Sequence, residues 1–454
     1  MARAKKEAAL TPEERLQAAL VPDWERPYKL PENWCWTTIK NVATVVTGGT
    51  PAKNNSDYYG GEFPFFKPAD LDAGRHVSEA SEYLSDLGKS VSRIIPAQAT
   101  AVCCIGSIGK CGFLDVEGAT NQQINSAIPY FNALYQYFYM NTEFFTNQLR
   151  NSASATTIAI VNKTKMESCY YPLAPLAEQQ RIVDRIESLF AKLDEAKEKA
   201  QAVLDSFETR KAAILHKAFT GELTAKWREE HGVRMESWEK KSVGELCISL
   251  KYGTAKKSDA SGNVVVLRMG NLQQGEIDWS DLAYSNDPDD IEKYKLFPGD
   301  VLFNRTNSAA LVGKTAIYRG EHPAIYAGYL IKLDYDHDKI IGDYLNYALN
   351  TLDAKKYCNS VKTDGVNQSN INAKKIGAYS FNVPSIPEQE KIVSVIQKLL
   401  SKEQQAKEAA EAVLDQIDLM KKSILARAFR GELGTNDPSE ESAVELLKKV
   451  FQKE

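Results

Sequence analysis

The sequence predicts an α+β protein in which two globular domains alternate with two long helices. One stretch occurs twice, at 178–223 and 388–433, with a constant offset of 210 residues and 23 identical positions. Both copies have a helical pattern, whereas the residues before each copy form short β-like runs separated by turn signals. An ungapped match of this length indicates an internal duplication.

Each copy carries a narrow apolar stripe whose steps alternate between four and three residues. The first stripe comprises Ile182, Ile186, Leu189, Leu193, Ala196, Ala200, Val203, Phe207 and Ile214, and the second comprises Ile392, Ile396, Leu399, Ala406, Ala410, Val413, Ile417, Met420 and Ile424. A period of 3.5 residues is typical of a coiled-coil seam. Arg210 and Glu403 interrupt the stripes. We therefore expect the two helices to pair, the alternative being two ordinary core helices of one large domain.

Composition limits the classes of protein to which the chain can belong. The 454 residues suffice for two or three domains, and the 43% hydrophobic and 26% charged content is typical of a globular protein. No apolar run is long enough to span a membrane, and no secretory signal is recognisable, so a cytoplasmic protein is expected. The seven cysteines form no metal-binding or disulfide pattern. Because the net charge is −4, any nucleic-acid contact must come from local clusters.

Proline, glycine and turn residues between the periodic segments predict the order of domains along the chain. The expected order is an N-terminal helix and lead-in (1–32), a first domain (33–174), the first long helix (175–223), a polar linker (224–237), a second domain (238–385), the second long helix (386–433) and a tail helix (434–454). Thr11 and Ser442 are expected to cap the two terminal short helices. The duplication suggests that these helices dock near each other.

The two domains resemble each other only at scattered positions. The expected correspondences are Trp36, Gly49, Thr50 and Lys53 with Trp238, Gly253, Thr254 and Lys256–Lys257; Phe66-Lys67 and Asp70-Leu71 with Leu267-Arg268 and Asn271-Leu272; and Ile108-Gly109-Lys110 with Val312-Gly313-Lys314. The helices have thus stayed alike while the two domains have diverged.

Several segments resemble the specificity subunits of type I restriction–modification systems. They are PLAPLAEQQRIV at 172–183, ILHKAFTGELTAKWR at 214–228 and FPGDVLFNRTNSAALVGKTAIY at 297–318. The first domain departs from the third segment, reading IPAQATAVCCIGSIGKCGF with no arginine at the place of Arg305. The resemblance covers nearly all of the chain.

The resemblance implies two target-recognition domains, here called heads, that each read one half of a split sequence in double-stranded DNA. It also implies that the helices pair as an antiparallel coiled coil with pseudo-twofold symmetry and set the spacing between the half-sites. A non-enzymatic coiled-coil scaffold whose heads bind protein or another ligand is the alternative function.

Motifs for catalysis are missing from the sequence. There is no methyltransferase motif, no nuclease motif and no phosphate-binding Walker loop, and the five histidines lack metal-ligand spacing. We therefore expect no catalytic residue and no metal site. The resemblance implies that two modification subunits supply methylation with S-adenosylmethionine, and that two restriction subunits use ATP and Mg²⁺.

Residue type and placement near glycine-rich turns suggest which side chains contact DNA. The candidates are Thr50, Lys53, Lys67, Ser107, Lys110 and Lys163 in the first head, and Thr254, Lys256, Lys257, Arg268, Arg305, Asn307, Lys314 and Asn367 in the second. Arg305 is expected to read guanine, and Lys256 and Lys257 to contact phosphates. For any single lysine, the alternative is a solvated surface charge. Phe190, Phe219 and Phe429 are expected either to bind the modification subunits or to close the helix pair.

Overall fold

The computed structural model describes residues 11–154, 159–366 and 368–452. They form two compact units. The first unit contains the residues up to Lys199 and those from Ala412 onward, and the second contains Ala200–Glu411. Each unit therefore combines one head with a segment of each long helix.

In the first head, two sheets and a β-ribbon are covered by short helices. The helices are α1 (Pro12–Ala19), α2 (Asp86–Ser90), α3 (Ala133–Met140), α4 (Glu143–Ser152) and α5 (Lys163–Glu167). The strands are β1 (Cys35–Thr38), β2 (Ala43–Thr47), β3 (Tyr59–Phe66), β4 (Glu82–Leu84), β5 (Thr100–Cys103), β6 (Cys111–Phe113), β7 (Ala119–Thr120), β8 (Ile124–Pro129) and β9 (Tyr170–Leu173). Their order is β2-β8-β5-β6, β4-β3-β7 and β1-β9, with β3 and β7 parallel. A capping box from Thr11 confirms the predicted start of α1.

The first long helix consists of two segments, α6 (Leu176–Asp205) and α7 (Phe207–Phe219), which corrects the expectation of a single helix. At the break, the Ser206 hydroxyl donates to the carbonyl oxygen of Ala202 and accepts a hydrogen bond from Arg210. Such side-chain bonds to the preceding turn compete with the regular helix. The segment expected to be a polar linker, 224–237, contains a short helix, α8 (Ala225–His231).

The second head repeats the strand order of the first. Its helices are α9 (Val243–Leu246), α10 (Pro288–Lys293), α11 (Gly342–Leu349), α12 (Leu352–Val361) and α13 (Ala373–Gly377). Its strands are β10 (Glu239–Ser242), β11 (Cys247–Tyr252), β12 (Val264–Leu267), β13 (Leu272–Gln273), β14 (Glu276–Ile277), β15 (Tyr284–Ser285), β16 (Val301–Asn304), β17 (Thr306–Asn307), β18 (Thr315–Ile317), β19 (Ala324–Tyr326), β20 (Leu330–Tyr335), β21 (Thr363–Asp364), β22 (Ser369–Asn370) and β23 (Ser380–Val383). The orders β11-β20-β16-β18, β15-β12-β19 and β10-β23 match the three groups of the first head. The second long helix α14 (Ile386–Ala428) and the tail helix α15 (Ala443–Phe451) follow.

Backbone hydrogen bonds show which positions of the two heads are equivalent. Gly48 donates to Ile124 and Gly253 donates to Leu330, so Gly48 rather than Gly49 corresponds to Gly253. The match predicted from the sequence is one residue off, because β11 has a register shift between Cys247 and Ser249 that β2 lacks. At both glycines a Cβ atom would lie about 2 Å from a carbonyl oxygen of the facing strand end, so no larger residue fits.

Two further correspondences follow from strand register. Cys35 pairs with Leu173, and Glu239 pairs with Val383, so Trp34 rather than Trp36 is equivalent to Trp238. The match of Lys67 with Arg268 is confirmed. Their amide groups donate to Asp70 and Asn271 respectively.

A buried carboxylate fixes the start of each long helix. Glu388 is 0% exposed and accepts hydrogen bonds from Arg228 (2.7 Å), Thr224 (2.7 Å) and Trp238 (2.9 Å). Arg228 lies in α8, so the segment expected to be a linker holds a buried ion pair.

Glu178, also 0% exposed, is held in the first unit by Arg181 (2.9 Å) and Thr435 (2.6 Å). Helices α1 and α15 pack together in this unit, with Leu16, Ala443 and Leu447 in one core cluster, as predicted for the terminal helices.

The two residues that interrupt the apolar stripes meet in the second unit. The distance from Arg210 Nε to Glu403 Oε2 is 2.6 Å. Each charge therefore compensates the other, and neither interruption leaves an unpaired ion against apolar neighbours.

Candidate nucleic-acid interface

Five of the residues predicted to contact DNA line one open groove of about 620 Å³ in the second head. They are Thr254, Lys256, Lys257, Arg268 and Arg305. They follow β11, β12 and β16, and their place in one groove shows that the ends of these strands lie close together. The groove thus gathers cationic side chains from segments that are far apart in the sequence, as phosphate contacts require.

Arg305 is fixed in the wall of this groove. Its guanidinium lies 4.8 Å from the centre of the Tyr252 ring and donates to the carbonyl oxygen of Gly328 (3.1 Å) and to Asn370 Oδ1 (3.4 Å). The buried Nε has no hydrogen-bond partner among the residues that the structure describes. The side chain is therefore preorganised, and each terminal nitrogen keeps a second N–H for a further acceptor.

The other groove residues differ in how free their polar groups are. Lys257 is exposed and makes no hydrogen bond or ion pair within the described part of the chain. Lys256 lies 2.5 Å from Asp287, whose hydrogen bond raises the pKa of the lysine. Thr254 is buried and donates to Asp290, so its hydroxyl serves the fold. Lys257 is the side chain best placed to meet a phosphate.

Asn307 and Lys314, also predicted in the second head, do not line this groove. Asn307 pairs with Ser369 in a short sheet. Lys314 donates to Gln273 Oε1 at 2.7 Å. Asn367 lies outside the described residues.

In the first head, Ser107 and Lys110 line a groove of about 780 Å³ together with Arg150. Lys110 forms an ion pair with Asp72 at 2.5 Å. The other four predicted residues are dispersed. Thr50 donates to Gln122, Lys53 is exposed, Lys67 pairs with Glu82 (3.1 Å) and Lys163 pairs with Glu167 (3.5 Å).

Cys104 occupies the place of Arg305 in the first head. The amide of Cys104 donates to Gln123 as that of Arg305 donates to Tyr329. Cys104 is 2% exposed, and burial raises the pKa of its thiol to about 12. At this position, the first head therefore presents no charged or hydrogen-bonding side chain to DNA.

Two tyrosines at the groove of the second head were not among the residues predicted from the sequence. Tyr252 is 42% exposed beside Arg305, and Tyr329, which lines the groove, is 47% exposed. Exposed aromatic rings next to basic side chains are typical of nucleic-acid surfaces. The run Tyr326–Tyr329 between two apolar strands was the available signal.

The three phenylalanines have intramolecular partners. Phe429 is 1% exposed and packs on Tyr135 at a centroid distance of 5.0 Å, so it belongs to the first head's core and offers no surface to a partner, which corrects the prediction. Phe219 contacts Tyr344 (4.9 Å). Phe190 contacts Phe138 (5.9 Å). Both are only partly buried, and their role with a partner stays a prediction.

No group of three or more histidine, cysteine or acidic side chains in the described residues could hold a metal ion. Among the same residues, no helix is long and apolar enough to cross a membrane.

Comparison with known proteins agrees with this arrangement. The family model described as "Type I restriction modification DNA specificity domain" matches residues 31–204 and 235–412, so it covers both heads. The StySPI specificity subunit of Salmonella potsdam is 24% identical over 449 residues, which are 93% of this chain and 96% of that protein. The EcoKI specificity subunit of Escherichia coli K12 is 25% identical with the same coverage.

Solved structures show the same fold. The HsdS subunit from Thermoanaerobacter tengcongensis has a TM-score of 0.63 at 19% identity and covers 90% of this chain and all of that one. A chain from a study of type I restriction–modification assembly has a TM-score of 0.66 at 18% identity, with the same coverage.

Proposed function

Because the chain belongs to the family of type I restriction–modification DNA specificity domains, we propose that each head reads one half of a bipartite target in double-stranded DNA. The chain is a DNA sequence-recognition subunit and is not itself the catalyst, as its near full-length relatives are specificity subunits. A scaffold that binds other ligands is not favoured.

The groove around Arg305 is the observation that carries this proposal. It holds the exposed Lys257 for a phosphate, a fixed arginine for a base edge and exposed tyrosines. Because the first head has Cys104 in place of Arg305, the two heads read different half-sites, and the whole target is asymmetric. Head boundaries at 33–174 and 238–385 fit this division of labour.

The two long helices pair as an antiparallel coiled coil about a pseudo-twofold axis and set the gap between half-sites. Two ion pairs support this. Arg210 contacts Glu403 in the second unit, and Asp194 contacts Lys421 (2.5 Å) in the first. Asp194 lies 16 residues before Arg210 in the first long helix. Its partner Lys421 lies 18 residues after Glu403, the partner of Arg210, in the second. Opposite directions of this kind are those of antiparallel helices.

Catalysis comes from partners in the cytoplasm. Two modification subunits bind S-adenosylmethionine and methylate adenine, and two restriction subunits use ATP and Mg²⁺. Exposed apolar side chains on α14 are the best docking candidates for the modification subunits. Val413 is 40%, Leu419 65% and Met420 46% exposed.

The adenine-methylation pattern of the host genome, with and without this gene, tests the proposed function. We expect one bipartite motif with a fixed gap to disappear on deletion and to return with the gene. An unchanged set of methylated motifs, in cells where the protein copurifies with a methyltransferase, would contradict the proposal.

A further inference from the structure

A lysine that is neutralised in the first head lacks a counter-ion in the second. Lys110 lies 2.5 Å from the carboxylate of Asp72. Lys314 occupies the same turn, since the amide of Asn304 bonds to its carbonyl oxygen as that of Cys103 bonds to Lys110. Its ammonium group meets the neutral amide of Gln273, the counterpart of Asp72, at 2.7 Å.

The long helices show the same replacement. Lys421 lies 2.5 Å from Asp194 in the first unit. With the offset of 210 residues between the two helices, the equivalent residues of the second unit are Lys211 and Gln404. Lys211 donates instead to the carbonyl oxygen of Gln274 at 3.2 Å. Both aspartates of the first unit are thus glutamines in the second.

These changes bring uncompensated lysines to one place in the second unit. Lys211, Gln273 and Gln404 line a single cleft of about 500 Å³, and Lys314 reaches it through Gln273. Burial lowers the pKa of Lys211 and that of Lys314, and the charge of Lys355 lowers both further. The cleft thus holds two partly desolvated lysines that have no carboxylate at hydrogen-bond distance within the described residues.

Nearby carboxylates do not fully offset this charge. Glu276 lines the cleft and raises the pKa of Lys211 in part, but its carboxylate is held by Arg319 at 2.9 Å. Glu208 raises the pKa of Lys211 in part, but it is exposed and accepts a hydrogen bond from Gln274. An anion with several acceptor oxygens suits a cluster of lysine and amide donors.

We propose that Lys211 and Lys314, with the amides of Gln273 and Gln404, bind a phosphate group of the DNA backbone beside the second head. This rests on the proposed function and deepens it. In the first unit, Asp72 and Asp194 neutralise the equivalent lysines, which are therefore not available to a phosphate. Backbone contacts are therefore unequal between the two half-sites.

The test compares two lysines of the same helical position, Lys211→Gln and Lys421→Gln, in the full-length chain with the modification subunits that copurify with it. Both variants change the charge equally. Binding to a duplex containing the target is measured as a function of salt. We expect the slope of log K against log salt to fall by about 0.9 for Lys211→Gln. It stays unchanged for Lys421→Gln, and sequence preference is the same in both.

A second variant combines Gln273→Asp with Gln404→Asp. It introduces the counterparts of Asp72 and Asp194 into the second unit without removing a lysine. A similar fall in slope with an unaltered melting temperature supports the site. Equal slopes for Lys211→Gln and Lys421→Gln, or an unaltered slope in the double aspartate variant, overturn it. If inorganic phosphate stabilises the parent but not the aspartate variant while DNA slopes agree, the assignment to DNA is overturned. Failure of the parent chain to bind the duplex would contradict the proposed function instead.

Discussion

At the turn after β5 in the first head and after β16 in the second, the backbones make the same hydrogen bonds and carry different side chains. Cys104 is buried at one, and Arg305 faces a groove at the other. The strand order is common to both heads, so it is the loops after the strands that differ in chemistry. A duplicated scaffold can in this way keep its fold while its two recognition surfaces diverge.

The largest expected difference between the units concerns the buried carboxylates. Glu388→Ala leaves Arg228 buried at about 9% exposure without its counter-ion, which should destabilise the second unit by about 3–5 kcal/mol. Glu178→Ala should cost less, because Arg181 keeps Glu440 at 2.8 Å. Denaturant unfolding followed by tryptophan fluorescence measures both. The exposed neighbour Glu390 provides the control, and equal losses for Glu388→Ala and Glu390→Ala would contradict this account.

Arg305→Ala should weaken discrimination in one half-site only, by about 1–3 kcal/mol for a lost bidentate contact with a base. The methylation motif should become degenerate in that half and stay intact in the other. Cys104→Ala, at the equivalent position, should leave the motif unchanged. A motif that keeps both halves in Arg305→Ala would show that the arginine only supports the groove wall.

Reversing one charge of the helix ion pair should destabilise the second unit by about 1 kcal/mol. Arg210→Glu places two carboxylates together, and adding Glu403→Arg restores the pair. The double variant should therefore recover most of the stability lost in the single one, as read by urea unfolding. The corresponding positions of the first unit hold Leu193 and Met420, which are apolar, so the first unit has no ion pair at those positions. No recovery in the double variant would exclude a direct interaction.

The smallest expected effect separates two neighbouring lysines of the groove. Lys257→Ala should lower the salt slope of DNA binding by about 0.9. Lys256→Ala should lower it less, because Asp287 and Asp290 already offset that charge. Sequence preference should not change in either variant. A larger effect at Lys256 would reverse the assignment.

The sequence predicted the duplication, the long helices and the α+β character of the heads, since periodicity and turn residues are local properties. It placed two correspondences wrongly, at Trp36 and Gly49, because an irregularity in β11 displaces the numbering of one head relative to the other. It missed the ion pair of Arg228 with Glu388, which joins residues 160 positions apart. Side-chain partners of this kind depend on the folded topology, so composition and spacing could not give them.

Five of the fourteen predicted DNA contacts share a groove, and they do so because β11, β12 and β16 end together. Residue type alone also selected Thr254 and Lys110, whose side chains are engaged by Asp290 and Asp72. Whether a lysine is free or neutralised was not visible in the sequence, and this property distinguishes the two units.

A seven-residue helical insertion after Gln201 in α6, with another after Glu411 in α14, tests most directly whether the helices space the two heads. Seven residues add about 10 Å of helix, and base pairs in B-DNA are about 3.4 Å apart. We expect the methylated motif to keep both halves while its gap lengthens by up to about three base pairs. A folded, active variant with an unchanged gap would contradict the account.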